Sequence, residues 1–177
     1  GRIVVIDEEI AALEKKKRIS RRWNEENDLR YRHNEPRPSP VSKAVMFCVM
    51  DVSGSMDQQK KDNAKLYYFL LYQLLKRNYE TVDVVFIRHT TEAEEVDEEG
   101  FFYSTVSGGT TVSTGLQMTL DIIKERYAES EWNIYGAQAS DGENSRPDNM
   151  KCAQLLTEIL AKAQAYFYTE VVGGWYN

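Results

Sequence analysis

The sequence predicts a Rossmann-like α/β fold of three layers, in which helices cover both faces of a mostly parallel sheet with an antiparallel edge strand. Two observations predict it. From residue 44 onward, strand-like and helix-like periodicities alternate along the chain. Residues 44–51 (AVMFCVMD) are also apolar almost throughout, which is typical of a central strand buried on both faces. A chain of 177 residues, 42% of them hydrophobic, can form one medium-sized core.

The other elements follow from local patterns. A broad apolar stripe predicts a helix over residues 57–78, and residues 82–89 form the next strand. Residues 93–105 hold a glutamate-rich turn between two short strand-like pieces, which predicts an antiparallel hairpin at the sheet edge. After Gly108 and Gly109, the predicted elements are a helix over residues 113–127, a strand over 132–140, a helix over 149–163 capped by Asp148, and a strand over 165–172.

Residues 1–43 form a separate region, which we interpret as a basic helical arm followed by a proline-rich connector. Within residues 14–43, ten Lys and Arg residues stand against five Asp and Glu residues, whereas the rest of the chain is acidic. Residues 7–18 have the spacing of a short helix, and prolines at 36, 38 and 40 disfavour both helix and paired strand. Two interpretations stay open: a solvated face or contact for an acidic neighbour, which we favour, and nucleic-acid binding with Trp23 and Tyr31 stacking on bases.

Composition favours a reducing compartment and no membrane. A net charge of −6 with 28% charged residues is ordinary for a globular domain. Neither a secretory leader nor an apolar run long enough to span a bilayer is present, so we expect a cytoplasmic protein without a membrane partner. Cys48 and Cys152 lack CxxC spacing and are expected to be reduced thiols near the core, while His33 and His89 lack partners for a zinc site.

Three polar segments stand directly after predicted strands or loops, where α/β sheets bind their ligands. They are Asp51-Val52-Ser53-Gly54-Ser55, Gly108-Gly109-Thr110, and Ser140-Asp141-Gly142-Glu143. Asp51, Ser53 and Ser55 stand at alternate positions, so in an extended turn their side-chain oxygens point to one side, and Gly54 permits a tight bend. Two carboxylates with several hydroxyls suit a hard divalent cation, so we expect Mg²⁺ or Mn²⁺, with Ca²⁺ as an alternative.

Together these residues resemble the metal-ion-dependent adhesion site of von Willebrand factor A-type domains, and the resemblance covers residues 44 to about 172. It implies that Asp51, Ser53 and Ser55 are direct or water-mediated ligands, that Thr110 is a ligand whose engagement varies, and that Asp141 acts through water. Thr111 is adjacent, but the position of Gly115 favours Thr110. Since such domains normally finish with another strand and helix, we expect residues 44–177 to be a domain truncated at its C-terminal end.

The sequence beyond these residues is similar to bacterial YeaH/YhbH-type proteins. The similarity includes SRRWNEENDLRYRHNEPRPSP, VMFCVMDVSGSM, VVFIRHTTEAEEVDE and WNIYGAQASDGEN, and therefore extends over the basic arm. It implies a stress or sporulation context and a functional link to a PrkA-type serine protein kinase.

The leading hypothesis for function is a metal-dependent protein-binding module, whose cation keeps one position open for an Asp or Glu of a partner. The rival is a metal-dependent phosphatase or hydrolase. That enzyme would need parts that are missing: a second Asp two residues after Asp51, a GxxxxGK[ST] loop or a GxSxG elbow. We therefore expect no enzyme activity. The simplest structural alternative is that Ser53 and Ser55 cap the following helix and that Asp141 is a turn residue before Gly142.

Overall fold

The structure, a computed structural model, describes residues 41–103 and 108–172. These residues belong to the second of two units into which the chain divides, residues 40–177. The expected basic arm, with its helix and proline-rich connector, lies outside the described residues, and so does the end of the predicted hairpin.

Strands and helices alternate along the described residues and build one five-stranded sheet. The sheet order is β3-β2-β1-β4-β5. Strand β1 pairs in parallel with β2 and β4, β4 pairs in parallel with β5, and β3 pairs antiparallel with β2. The predicted α/β fold with an antiparallel edge strand is confirmed. The elements are β1 (Lys43–Asp51), α1 (Gln58–Asn78), β2 (Thr81–His89), β3 (Ala93–Val96), α2 (Glu98–Phe102), α3 (Val112–Arg126), β4 (Asn133–Ser140), a 3₁₀ turn (Arg146–Asp148), α4 (Asn149–Leu160) and β5 (Ala165–Glu170).

Between its charged end residues, Lys43 and Asp51, strand β1 is apolar because both of its faces are covered. One face presents Val45, Phe47 and Val49 to α3 and α4. The other face presents Met46, Cys48 and Met50 to α1 and α2. Cys48 and Cys152 are both buried and unpaired, as the sequence predicts.

The predicted hairpin is only half right. Residues 93–96 form the edge strand β3, but residues 98–102 are helix α2 instead of a returning strand. The helix starts because Asp97 accepts a hydrogen bond from the amide of Gly100 at 2.7 Å. It persists because Phe101 and Phe102 are buried against the α1 side of the sheet, where Phe101 contacts Tyr68.

The strand register brings the polar segments of the sequence to one edge of the sheet. Asp51 lies opposite His89 at the carboxyl end of β2, and Met50 lies opposite Ala139 in β4. Asp51 and Ser140 therefore end adjacent parallel strands. In open α/β sheets this edge is where ligands bind.

Candidate functional site

The buried carboxylate of Asp51 connects two segments of the site through hydrogen bonds. It ends β1, is fully buried, and its Oδ1 accepts a hydrogen bond from the amide of Ser53 at 2.8 Å. Its Oδ2 accepts from the hydroxyl of Ser140 at 3.3 Å. Sequence reasoning missed this role of Ser140. Since that serine ends the neighbouring strand, its proximity follows from strand register and not from a spacing that sequence reveals.

The serine hydroxyls of the first segment do not cap the following helix. Asp57 does so, because its Oδ1 accepts from the amide of Lys60 at 2.8 Å. The hydroxyls of Ser53 and Ser55 instead lie 3.2 Å from each other. Helix capping therefore does not account for these two serines.

The second predicted segment meets the first across a backbone hydrogen bond, from the amide of Gly54 to the carbonyl of Gly108 at 3.3 Å. Thr110 is half-buried and lines the same open depression as Ser53 and Ser55. The depression has a volume of about 380 Å³, and Glu143, Asn144 and Ser145 line its far side. It offers space for a ligand next to the hydroxyl pair.

Asp141 stands directly after β4 and completes the set of predicted ligands. Its Oδ2 accepts from the ammonium group of Lys60 at 3.1 Å, and the same group donates to the carbonyl of Ser55 at 2.7 Å. Burial by itself would raise the pKa of Asp141, but hydrogen bonds from Ser55 and Lys60 outweigh it and hold that pKa below its ordinary value. Asp141 is therefore a carboxylate at neutral pH. Its Oδ1 is buried and finds no hydrogen-bond partner among the described residues.

A further pair of side chains ties the Asp141 loop to the start of α3. The Oδ1 of Asn144 accepts from the amide of Val112 at 3.3 Å, and the Oδ2 of Asp148 accepts from the amide of Ser113 at 2.9 Å. Helix α3 follows directly on the Thr110 segment. These bonds therefore link the Thr110 and Asp141 loops.

The prediction that Asp148 caps the helix that follows it is wrong, because Asp148 caps α3. The side chain of Asp148 makes no capping hydrogen bond to the backbone of its own helix α4, and it caps α3 from a distance instead. The reason is that it is buried beside Ser113 and also accepts from the thiol of Cys152 at 3.2 Å. Burial favours a raised pKa for Asp148, but the hydrogen bonds from Ser113, Cys152 and Asn144 prevail and keep the pKa below its ordinary value.

His89 lies at the carboxyl end of β2, opposite Asp51. It is fully buried, and neither ring nitrogen has a hydrogen-bond partner among the described residues. Burial lowers its pKa more than the nearby charge of Asp51 raises it, so the ring is neutral. Gly115 makes room for it, since a Cβ there would stand 2.9 Å from the ring Cδ2. His89 therefore has a packing role.

The structure brings the five predicted site residues to one place. Hydrogen bonds link Asp51 to Ser53 and Ser53 to Ser55, and Lys60 links Ser55 to Asp141. Thr110 lines the same depression as Ser53 and Ser55. Sequence reasoning missed Lys60, Asn144 and Asp148 as parts of this site, because the bonds that place them join segments that are distant along the chain.

This donor set fits a hard cation and not a soft one. Within the described ranges, no group of three or more His, Cys, Asp or Glu side chains is arranged to hold a metal ion. Two carboxylates and up to three hydroxyls are the oxygen donors that Mg²⁺ accepts together with water. The buried Oδ1 of Asp141, for which residues 41–103 and 108–172 offer no donor, is an acceptor that a cation or its bound water would satisfy.

Comparison with protein families decides the relationship of the chain. The family described as "Protein of unknown function (DUF444)" matches residues 2–176. The chain belongs to this family. The match agrees with the YeaH/YhbH-type part of the resemblance.

Curated relatives of this DUF444 chain are UPF0229 proteins of bacteria. That of Teredinibacter turnerae is 58% identical over 150 residues, which cover 84% of this chain and 36% of the relative. That of Pectobacterium atrosepticum is 53% identical over 166 residues, or 93% of this chain and 39% of the relative. That of Sinorhizobium medicae is 56% identical over 146 residues, or 82% and 33%. The DUF444 chain thus spans less than two fifths of the length of these relatives.

In the part of the DUF444 chain that the structure describes, no helix combines the length and the apolar character that crossing a membrane requires.

Proposed function

We propose that this DUF444 chain is a metal-dependent protein-binding module of the von Willebrand A type. Asp51, Ser53, Ser55, Thr110 and Asp141 would hold a divalent cation, for which Mg²⁺ is our first choice and Mn²⁺ or Ca²⁺ the alternatives. The observation that carries the proposal is the buried Oδ1 of Asp141, which has no hydrogen-bond donor in the part of the chain that the structure describes. Lys60 links this carboxylate to Ser55, whose hydroxyl lies beside that of Ser53.

Each residue would contribute a specific property to the bound cation. Asp51 and Asp141 supply two negative charges, and both side chains are shielded from water. Ser53, Ser55 and Thr110 supply neutral oxygens beside an open depression. When bound, the cation would offer a Lewis-acidic position to a carboxylate from outside. A partner that presents Asp or Glu at a protruding point fits this chemistry.

Binding is proposed in preference to catalysis because, within the described residues, no histidine hydrogen-bonds to Ser53 or Ser55 as a base. Activation of a serine needs a general base within hydrogen-bonding reach. Neither nitrogen of His89 makes a hydrogen bond within the described ranges, and burial keeps that ring neutral by lowering its pKa. The serine protein kinase as partner and the stress or sporulation context stay predictions that rest on the family resemblance.

Metal binding is the first test. Titration of the 177-residue chain with Mn²⁺, followed by electron paramagnetic resonance, should show one saturable site from which Mg²⁺ displaces Mn²⁺. Asp51→Asn and Ser55→Ala should each weaken binding by at least about ten-fold, because each removes a ligand. Asp121→Asn, which changes an exposed carboxylate on α3, is the matched control and should bind as the parent does. Equal affinity in all four proteins would contradict the proposed ligand set.

Partner binding is the second test. Proteins captured from bacterial cells on the parent chain should be released by EDTA and should not be captured by Asp51→Asn. Capture that survives both treatments while falling steeply with salt would point instead to the nucleic-acid interpretation of the basic arm.

A further inference from the structure

Lys60 places a permanent positive charge against the proposed cation site. It lies in the first turn of α1, and its ammonium group donates to the carbonyl of Ser55 at 2.7 Å and to Oδ2 of Asp141 at 3.1 Å. The side chains of Lys60 and Asp141 are only 17% and 6% exposed. This ammonium is thus partly shielded from water, where charges interact more strongly than on an open surface.

The charges around the site can be counted from these contacts. Asp51 and Asp141 are negative, Lys60 is positive, and His89 is neutral because burial lowers its pKa. Glu143 also lines the depression, but it is exposed to solvent and screened. Asp57 and Asp148 each cap a helix and are not among the proposed ligands, so the count below leaves them out.

Among the proposed ligands and the ammonium group that contacts them, Asp51 and Asp141 are negative and Lys60 is positive, which gives one net negative charge. A divalent cation would turn this into one net positive charge, and a single carboxylate from a partner would bring these groups to neutrality. Without Lys60, the cation alone would already neutralise the two aspartates. Since a partly shielded net charge is costly, Lys60 should weaken the binding of cation alone and favour cation together with carboxylate.

We propose that Lys60 makes the cation and the partner carboxylate bind cooperatively, so that the site fills firmly only when both are present. The inference rests on the proposed metal site. By linkage, the factor by which carboxylate raises cation affinity equals the factor by which the cation raises carboxylate affinity. Lys60 is accordingly a specificity-determining residue that selects an anionic partner.

The test compares Mn²⁺ affinity in the parent 177-residue chain, Lys60→Gln, Lys60→Arg and the control Lys124→Gln. Lys124 is 53% exposed and pairs with Glu158, so its variant removes the same charge away from the site. Each protein is titrated in sodium chloride and in sodium acetate of equal ionic strength. Lys60→Gln should bind Mn²⁺ on the order of ten-fold more tightly than the parent in chloride, because one nearby like charge is removed.

Acetate should raise the Mn²⁺ affinity of the parent, Lys60→Arg and Lys124→Gln, and it should have little effect on Lys60→Gln. Unchanged or weaker Mn²⁺ binding by Lys60→Gln, with saturable binding in the parent, would overturn the role of Lys60 and leave the metal site standing. Absence of saturable Mn²⁺ binding in every variant would overturn both.

Unfolding in EDTA provides a measurement that needs no metal. Lys60→Gln should lower the midpoint of urea denaturation more in the Asp141 background than in the Asp141→Asn background, because the bond to the Ser55 carbonyl is lost in both and the ion pair only in the first. An equal effect in both backgrounds would contradict the pairing from which the charge count starts.

Discussion

Replacement of Asp148 by Ala should loosen the framework that holds the Thr110 and Asp141 loops together. Asp148 is 9% exposed, and its Oδ2 accepts from the amide of Ser113 at 2.9 Å. Ser113 is 1% exposed, so the variant leaves a buried amide without a partner. A buried orphan donor costs about 1–3 kcal/mol and a lost helix cap about 0.5–2 kcal/mol, and since the two losses overlap we expect about 2–3 kcal/mol.

Urea denaturation followed by circular dichroism measures this loss directly. Asp121→Ala is the control because Asp121 lies on the same helix and is exposed, and it should change the free energy of unfolding by less than about 0.5 kcal/mol. A loss below about 0.5 kcal/mol for Asp148→Ala would refute the non-local cap.

The pH dependence gives the same prediction a second test. The hydrogen bonds from Ser113, Cys152 and Asn144 overcome the effect of burial and lower the pKa of Asp148 in the folded state. A lowered pKa stabilises the fold above the unfolded value of about 3.9, and this contribution is lost as pH falls through the folded value. The stability gap between parent and Asp148→Ala should therefore be constant near neutral pH and shrink in acid. A gap independent of pH would contradict the assignment.

Three further outcomes are expected from urea denaturation. Gly136→Ala should cost at least about 2 kcal/mol, because its Cβ would stand 2.1 Å from Cδ2 of Tyr166; a smaller loss would mean that the ring moves aside. Tyr68→Phe should cost about 1–3 kcal/mol, since the hydroxyl donates to the buried carbonyl of Val49 at 2.6 Å; an unchanged midpoint would contradict this. Burial lowers the pKa of His89, so its contribution to stability is present above about pH 6.5 and declines as pH falls below that value; a flat profile would refute its buried, neutral state.

The elements with a clear period could be predicted to within a few residues. The predicted helix over residues 57–78 is observed as Gln58–Asn78, and the predicted strand over 82–89 is observed as Thr81–His89. Burial explains this success, since a helix with one covered face and a strand with two covered faces each leave a pattern in the sequence. The carboxyl ends of these strands then gave the location of the candidate site.

Helix α2 and the cap of α3 could not be predicted because each depends on tertiary contacts. Five residues are too few to show a helical period, and burial of Phe101 against Phe86 and Tyr68 decides the conformation. The partner that Asp148 finds for capping is 35 residues away along the chain. A local rule assigned it to the nearest helix, which was wrong.

The example of Lys60 shows that a sequence motif reveals predicted metal ligands more readily than it reveals the charged residues around them. The ligand pattern is visible because Ser53 and Ser55 repeat at the period of an extended turn, whereas Lys60 is one of two adjacent lysines in a polar turn of α1. The partner of Lys60, Asp141, is 81 residues further along the chain. In the proposed cation site, the single charge of Lys60 would favour a partner carboxylate, so a residue without any visible motif would determine which partners the site accepts.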